Sequence, residues 1–215
     1  MAELDGLILE FSDHRPSLTR LVEINDALTA YGSRVWPLDL RGLSDDIRNL
    51  LAQPRLTEPE AEFLKAQFQL PRPRLLAMIA EAGREPHIPD GGAMTTYVSN
   101  HGYAYPQLYI AETGVDYSRF DQFHVNTADD GAGVDEIGQL LSGGGVRILQ
   151  CRPGSGVATL HLDCLSEGQG WIVTYDGGSA HIGSLSGARP GTKLLMQVIG
   201  PERWVMRYED AEPGR

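Results

Sequence analysis

The stretch Glu136–Leu149, which is EIGQLLSGGGVRIL, indicates the fold because it holds two apolar runs separated by three glycines. Runs of this length with a glycine turn between them are typical of two strands joined by a tight turn. A second stretch, Gly168–His181, is GQGWIVTYDGGSAH and contains another strand pattern followed by a turn. Together the two stretches predict antiparallel β-structure in the second half of the chain.

Similar short patterns extend in both directions from these two stretches. Strands are predicted at 94–98, 106–112, 119–126, 136–141, 145–150, 157–165, 170–175, 193–199 and 202–209. Short strands with turns between them favour a sandwich or a barrel over alternating strands and helices. The glycine turns do not follow a strand and open a helix, as a phosphate loop would, and no G-x-S-x-G nucleophile motif is present.

The first 90 residues carry helix signals instead. Apolar residues recur at three- and four-residue steps, Ser44 is a helix N-cap candidate, and Thr57–Glu60 has capping-box spacing. The segment 85–92 is rich in proline and glycine and is interpreted as a linker or turn. The predicted organisation is a helical N-terminal segment, 1–92, packed on a β-barrel formed by 93–215.

Composition limits the classes of partner. The chain has 215 residues, with 18 Lys and Arg against 29 Asp and Glu, a formal net charge of −11. Nucleic acid and anionic membranes attract basic surfaces, so neither is expected as the main partner. No apolar run reaches the roughly 20 residues that span a bilayer, and no basic start with an apolar stretch marks an export signal. With Cys151 and Cys164 expected to be reduced, the predicted location is the cytoplasm.

Two histidines and one carboxylate are the leading metal-binding candidates. In Phe-His-Val-Asn, strand alternation puts His124 and Asn126 on the same face. Glu136 opens the next strand, and His181 follows a strand and a turn. Two imidazoles and a carboxylate suit a divalent metal such as iron(II), nickel or manganese, and need no unusual protonation at pH 7. The alternative is that these histidines are structural.

These motifs resemble the cupin superfamily, and more narrowly its acireductone dioxygenase branch. The similarity involves His124-Val-Asn126, Glu136, the glycines at 143–145, His181 and Glu202-Arg-Trp204, together with the N-terminal stretch 24–36. The resemblance implies a mainly β protein with a single cupin β-barrel, a double-stranded β-helix. It also implies one divalent transition metal, Fe(II) or Ni(II), bound by His124, Glu136 and His181. Asn126 would be a fourth ligand or a hydrogen-bond partner.

The sequence departs from that branch in three ways. Asn126 stands where the family has its second histidine, nine residues separate it from Glu136 where the family has a short spacer, and Gly138 replaces an arginine that helps hold an anionic substrate. The departures predict a divergent oxygenase that uses dioxygen on a small polar metal-chelating substrate. Analogy with the cupin thiol dioxygenases suggests a thiol amino acid such as cysteine.

Three alternatives stay open for the function. They are an oxygen-independent cupin isomerase or lyase, a non-catalytic small-molecule-binding cupin, and acireductone dioxygenase activity itself. The last requires the inserted loop 127–133 or His161 to supply what Asn126 and Gly138 lack. A homodimer is also possible, since cupins often dimerise through strand edges.

Further residues are candidates for catalysis or substrate binding. Tyr103, Tyr105 and His161 are assigned to catalysis, and His161 is also the first substitute metal ligand if Asn126 does not coordinate; its side chain faces either the barrel lumen or the solvent. Arg147, Tyr175 and His101 are assigned to substrate binding. The alternatives are a loop position for His101, a surface position for Arg147 and a solvent-facing His161.

Overall fold

The computed structural model describes residues 5–118 and 121–209, and these form a mainly β protein. Within these residues the strands are β1 (Leu7–Phe11), β2 (Arg34–Asp39), β3 (Tyr97–Val98), β4 (Tyr103–Ala104), β5 (Gln107–Ile110), β6 (His124–Thr127), β7 (Asp135–Ser142), β8 (Gly144–Arg152), β9 (Gly156–Asp163), β10 (Gln169–Asp176), β11 (His181–Ser184), β12 (Lys193–Ile199) and β13 (Arg203–Tyr208). The α-helices are α1 (Leu21–Leu28), α2 (Asp45–Ala52), α3 (Glu58–Phe68) and α4 (Arg72–Glu81), with a 3₁₀ turn at Thr29–Tyr31.

The strands form two sheets that pack face to face. The larger sheet has the order β1-β9-β8-β11-β6-β13-β3-β4, and the smaller has the order β2-β10-β7-β12-β5. Apolar side chains from both sheets make one core, with Leu160 and Ile148 from the larger sheet and Trp171 and Met196 from the smaller. Over the described residues the sheets do not join into a closed barrel, so the β-rich class is confirmed at the level of two packed sheets.

Helices α2, α3 and α4 cover the outer face of the smaller sheet. Leu51 and Leu64 pack on Leu195 of β12, and Ile79 packs with Ile137 of β7. The central strands of this sheet are therefore buried on both faces, and β12 is buried at every residue. In the larger sheet, β8 and β9 alternate between buried and partly exposed residues. This difference explains why continuous apolar runs and alternating runs both occur in the sequence.

The predicted strands from 94–98 to 202–209 all overlap observed strands. In the predicted strand at 119–126, residues 119–120 lie outside the described residues, and the observed strand is His124–Thr127. Helices begin after Ser44 and Thr57 as their capping residues predict, and the Glu60 carboxylate accepts the Thr57 backbone N–H at 2.7 Å. No helix in the described part of the chain is both long and apolar enough to cross a membrane.

The expectation that the first 90 residues are helical missed two strands. Strand β1 pairs with β9 at the edge of the larger sheet, and β2 pairs with β10 at the edge of the smaller one. Pro37 lies inside β2, which is tolerated because an edge strand has one side without ladder hydrogen bonds. Both sheets thus receive an edge strand from the N-terminal region.

Two local features of the sheets position the site. Of the three glycines at 143–145, Gly143 alone joins β7 to β8, and a side chain there would collide with Thr192. Strands β6 and β11 are neighbours in the larger sheet, and their register consists of the single pair His124 and His181. The two histidines therefore lie side by side where the two halves of the larger sheet meet.

Candidate metal centre

A small cavity between the two sheets contains all four predicted metal ligands. Its volume is about 40 Å³, which is room for a few water molecules. The lining residues are Tyr105, Tyr109, His124, Asn126, Glu136, Tyr175, His181, Gly183, Leu185, Leu194, Met196 and Met206. Polar groups and apolar side chains both line this space, as in small-molecule sites.

Strand alternation brings His124 and Asn126 into the cavity as predicted. Both are buried, whereas Val125 and Thr127 between and after them are partly exposed. His181 begins β11 after the turn at 177–180, and its ring centroid lies 4.4 Å from that of His124. The larger sheet thus supplies two imidazoles and an amide to one wall of the cavity.

Glu136 reaches the same point from β7 of the smaller sheet. Its Oε1 lies 3.2 Å from His181 Nε2 and accepts a hydrogen bond from Asn126 Nδ2 at 2.5 Å. Its Oε2 accepts a hydrogen bond from the Tyr175 hydroxyl at 2.8 Å. The carboxylate is therefore held by partners from both sheets.

Backbone carbonyls orient both imidazoles. His124 Nδ1 lies 2.9 Å from the Gln122 carbonyl oxygen, and His181 Nδ1 lies 2.8 Å from the Ser179 carbonyl oxygen. A carbonyl oxygen only accepts, so each Nδ1 carries the proton and donates it. In a neutral ring, Nε2 then keeps its lone pair, as in histidines that bind a metal. This holds for His124, whereas His181 Nε2, 3.2 Å from Glu136 Oε1, has a free lone pair only in its neutral form.

The charges in the cavity are set by burial and by proximity. Burial, assisted by His181, lowers the pKa of His124 to about 4, so this ring is neutral at pH 7. Burial acts to raise the pKa of Glu136, but His181, His124 and the Tyr175 hydroxyl outweigh it and lower that pKa to about 2. For His181, burial acts to lower the pKa, yet the attraction of Glu136 prevails and raises it.

The donor set fits a transition metal in its chemistry. Two imidazoles, a carboxylate and an amide oxygen are nitrogen and oxygen donors that iron(II) and nickel(II) accept. Asn126 Oδ1 is buried without a hydrogen-bond partner, an acceptor that a cation would satisfy. The spacing is not that of a formed site, because the described residues include no group of three His, Cys, Asp or Glu side chains grouped to hold a metal ion.

The other predicted site residues fall into two groups. Tyr105 and Tyr175 line the cavity, and the Tyr105 hydroxyl lies 3.0 Å from that of Tyr109. His101 and Tyr103 stack with ring centroids 6.1 Å apart, outside the lining. Tyr208 connects this pair to the site, because its ring contacts both His101 and His124.

His161 and Arg147 lie away from the cavity. His161 Nε2 is 2.9 Å from Glu10 Oε2 on the neighbouring strand β1, and the ring is partly exposed. Arg147 donates to the Ser184 hydroxyl at 3.2 Å and points opposite to the buried Val146 and Ile148. Of the two orientations left open for His161, the structure has the one that faces away from the core.

Several residues that line the cavity could not be predicted from the sequence. Tyr109 lies on β5, Met196 on β12 and Met206 on β13, and each faces inward only because of how its strand pairs with distant strands. The position of Gly138 could be predicted from the sequence. It follows Glu136 by two residues on β7 and therefore lies on the same face of the strand. A Cβ atom at Gly138 would lie 3.1 Å from Met196 Sδ, so Met196 occupies the space that a longer residue 138 would need.

Comparison with known proteins adds no relative to this description. No protein-family model matches the chain, and the curated proteins contain no match to it. The function is therefore argued from the residues of the cavity.

Proposed function

We propose that the protein is a metal-dependent cupin oxygenase that binds one Fe(II) or Ni(II) ion and oxidises a small, polar, metal-chelating substrate. The observation that carries this proposal is that two backbone-oriented imidazoles, His124 and His181, and the Glu136 carboxylate line one buried cavity, with His181 in contact with Glu136. A facial set of two histidines and one carboxylate is the donor set of many iron(II) oxygenases, and it leaves coordination positions for substrate and dioxygen.

The arrangement of strands supports the cupin part of the proposal. Cupins are double-sheet jelly rolls built from eight antiparallel strands. Strands β6 to β13 are eight in number among the described residues and are divided between the two packed sheets. The ligands come from β6, β7 and β11, so that both sheets contribute to one centre.

Each cavity residue has a role that follows from its contacts. A bound metal would supply Lewis acidity and hold the reactants side by side. His124, Glu136 and His181 would hold it, and Asn126 keeps the Glu136 carboxylate in place through its amide hydrogen bond. Tyr105 and Tyr109 present hydroxyl groups that can hydrogen-bond a polar atom of the substrate. The leucine and methionine side chains on the remaining wall exclude water.

The lining also bears on the substrate. No Lys or Arg lines the cavity within the described part of the chain, and Gly138 stands where the acireductone dioxygenase branch has its cation. A substrate is therefore held through the metal and the two phenols. Cysteine would bind through its thiol and amine, and its carboxylate would meet no cation in this lining, so we expect an amino thiol without a carboxylate to bind at least as well.

A second candidate function is a non-catalytic binding protein. It is favoured by the direct contact between His181 Nε2 and Glu136 Oε1, at 3.2 Å, which is a buried ion pair complete in itself. In that case Tyr175 and Asn126 satisfy the carboxylate, and the cavity accepts a small neutral molecule without metal.

Oxygen uptake tests the proposal directly. We expect the Fe(II)- or Ni(II)-loaded protein to consume dioxygen with acireductone, cysteine or an amino thiol lacking a carboxylate, and to show no turnover without oxygen. Turnover that persists without oxygen would identify the isomerase or lyase alternative. Failure to bind either metal after reconstitution would reject the oxygenase proposal and favour the binding protein.

Tyr175→Phe tests the support given to Glu136. The substitution removes the hydroxyl that donates to Glu136 Oε2, so we expect metal affinity to fall by about 10- to 100-fold, the usual effect of losing such a partner of a ligand. The dissociation constant is measured by competition with a chromophoric chelator. Tyr31→Phe is the matched control, because the Tyr31 hydroxyl donates to the Ser155 carbonyl away from the cavity. Equal affinity in Tyr175→Phe and the unaltered protein would contradict this role.

A further inference from the structure

The segment between α4 and β3, which sequence analysis interpreted as a linker, contains a histidine with specific partners. His87 Nε2 lies 2.6 Å from Asp176 Oδ1 at the end of β10. The His87 backbone N–H donates to Asp135 Oδ2 at 3.0 Å, at the start of β7. His87 therefore contacts the residue before Glu136 and the residue after Tyr175.

Asp176 passes this contact on to the turn that precedes His181. Its Oδ1 accepts the Gly178 backbone N–H at 2.9 Å, and its Oδ2 accepts the Ser179 hydroxyl at 2.6 Å. The Ser179 carbonyl oxygen in turn accepts a hydrogen bond from His181 Nδ1–H at 2.8 Å. A continuous series of contacts thus leads from His87 to the imidazole of a proposed ligand.

The His87 ring also fills the space between two loops. A Cβ atom at Gly133, in the loop before β7, would lie 2.7 Å from His87 Cε1. A Cβ atom at Gly178, in the turn before β11, would lie 2.9 Å from the same atom. Both loops come close to the ring because they have glycine at these positions. One loop leads to Glu136 and the other to His181, so the ring fixes their separation.

Arg84 strengthens the same junction from the C-terminal end of the helical region. It forms an ion pair with Asp135, and its Nε donates to the Gly32 carbonyl at 2.5 Å. Asp135 is thereby held by both Arg84 and the His87 backbone. The hydrogen bond that His87 donates to Asp176 raises the pKa of His87, which favours the ion pair between the two side chains.

We propose that His87 is a positioning residue for the metal centre, which sets the orientation of His181 and the approach of Glu136 through Asp176, Ser179 and the two glycine loops. This inference rests on the proposed function, because it assigns the residue a role in metal binding. His87 touches neither the cavity nor the proposed ligands, so its effect is on geometry.

Metal affinity and the ligand-field spectrum test the inference. We expect His87→Ala to weaken Ni(II) binding about tenfold, the lower end of the effect of losing a partner of a ligand, and to change the visible absorption of the Co(II)-loaded protein. His87→Gln, whose amide can donate to Asp176, should recover part of the affinity. The control is His161→Ala, which removes a histidine paired with a carboxylate outside the cavity. This control should leave both measurements unchanged.

The outcomes separate the inference from the proposed function. Absence of Ni(II) binding by the unaltered protein would overturn both. Binding by the unaltered protein with the same affinity and Co(II) spectrum in His87→Ala would overturn the inference alone. If His87→Ala does not fold, Ser179→Ala replaces it, since that change removes only the hydroxyl that donates to Asp176. Unchanged affinity and spectrum in Ser179→Ala would then overturn the inference in the same way.

Discussion

Replacing His181 by alanine is expected to remove nearly all of the bound metal. The imidazole of His181 is buried, its Nε2 atom lies 3.2 Å from Glu136 Oε1 and its ring lies beside that of His124, so the substitution removes one of the three proposed ligands. Loss of a partner that only supports a ligand costs about 10- to 100-fold in affinity, and loss of the ligand itself is expected to cost more than about 100-fold. Elemental analysis should then find about one metal ion per chain in the unaltered protein and only a small fraction of that metal content in His181→Ala.

Two further variants make this measurement interpretable. His124→Ala should show the same loss, because His124 supplies the second imidazole. His161→Ala should have the same metal content as the unaltered protein, since His161 contacts Glu10 of the neighbouring strand β1, away from the cavity. Circular dichroism establishes that each variant is folded. Full metal content in folded His124→Ala and His181→Ala would show that these histidines are structural.

Replacing Trp171 by alanine is expected to produce the largest loss of stability. Trp171 lies on β10 in the central core, is fully buried, and donates its indole N–H to the Asp163 carbonyl at 2.8 Å. Truncation leaves a cavity and an unpaired carbonyl, so the free energy of unfolding should fall by about 3–5 kcal/mol. Denaturant unfolding followed by circular dichroism measures this change.

Two comparisons separate packing from hydrogen bonding at this position. Trp171→Phe keeps most of the apolar contact and loses the N–H, so we expect a smaller loss of about 1–3 kcal/mol. Trp36 lies on the edge strand β2, is half-buried, and donates its indole N–H to Glu81 of α4. Trp36→Ala should therefore lower the free energy of unfolding by less than Trp171→Ala. An equal effect of the two alanine substitutions would contradict the central place of Trp171 in the core.

Local patterns predicted the parts of the site that depend on a single strand. Alternation in Phe-His-Val-Asn was sufficient to put His124 and Asn126 on one face, and the structure has both inside the cavity. The same rule left His161 with two possible orientations, because alternation tells which residues share a face but not which face is inside. The packing of Leu160 and Leu162 into the core decided this, and it leaves His161 on the opposite face beside Glu10.

Long-range pairing accounts for what the sequence did not reveal. The meeting of Glu136 with His181 requires two sheets to pack together, and the sequence predicted it only as an arrangement that donor chemistry and the resemblance to cupins both favoured. Tyr109 and Met206 face the cavity because β5 pairs with β12 and β13 pairs with β6. No periodicity within a short segment carries that information. Strand β1, Leu-Ile-Leu-Glu-Phe, begins with three consecutive apolar residues, so its alternating burial is not visible in the sequence.

The single-pair contact between β6 and β11 has a consequence for the motions of the protein. A sheet opens most easily where its ladder is shortest, and here the ladder between its two halves is reduced to His124 and His181. A cation bound by both imidazoles would link the two halves of the sheet at this point. Binding of the ion and local opening between β6 and β11 would then be thermodynamically linked. Binding would suppress the opening, and opening would release the ion.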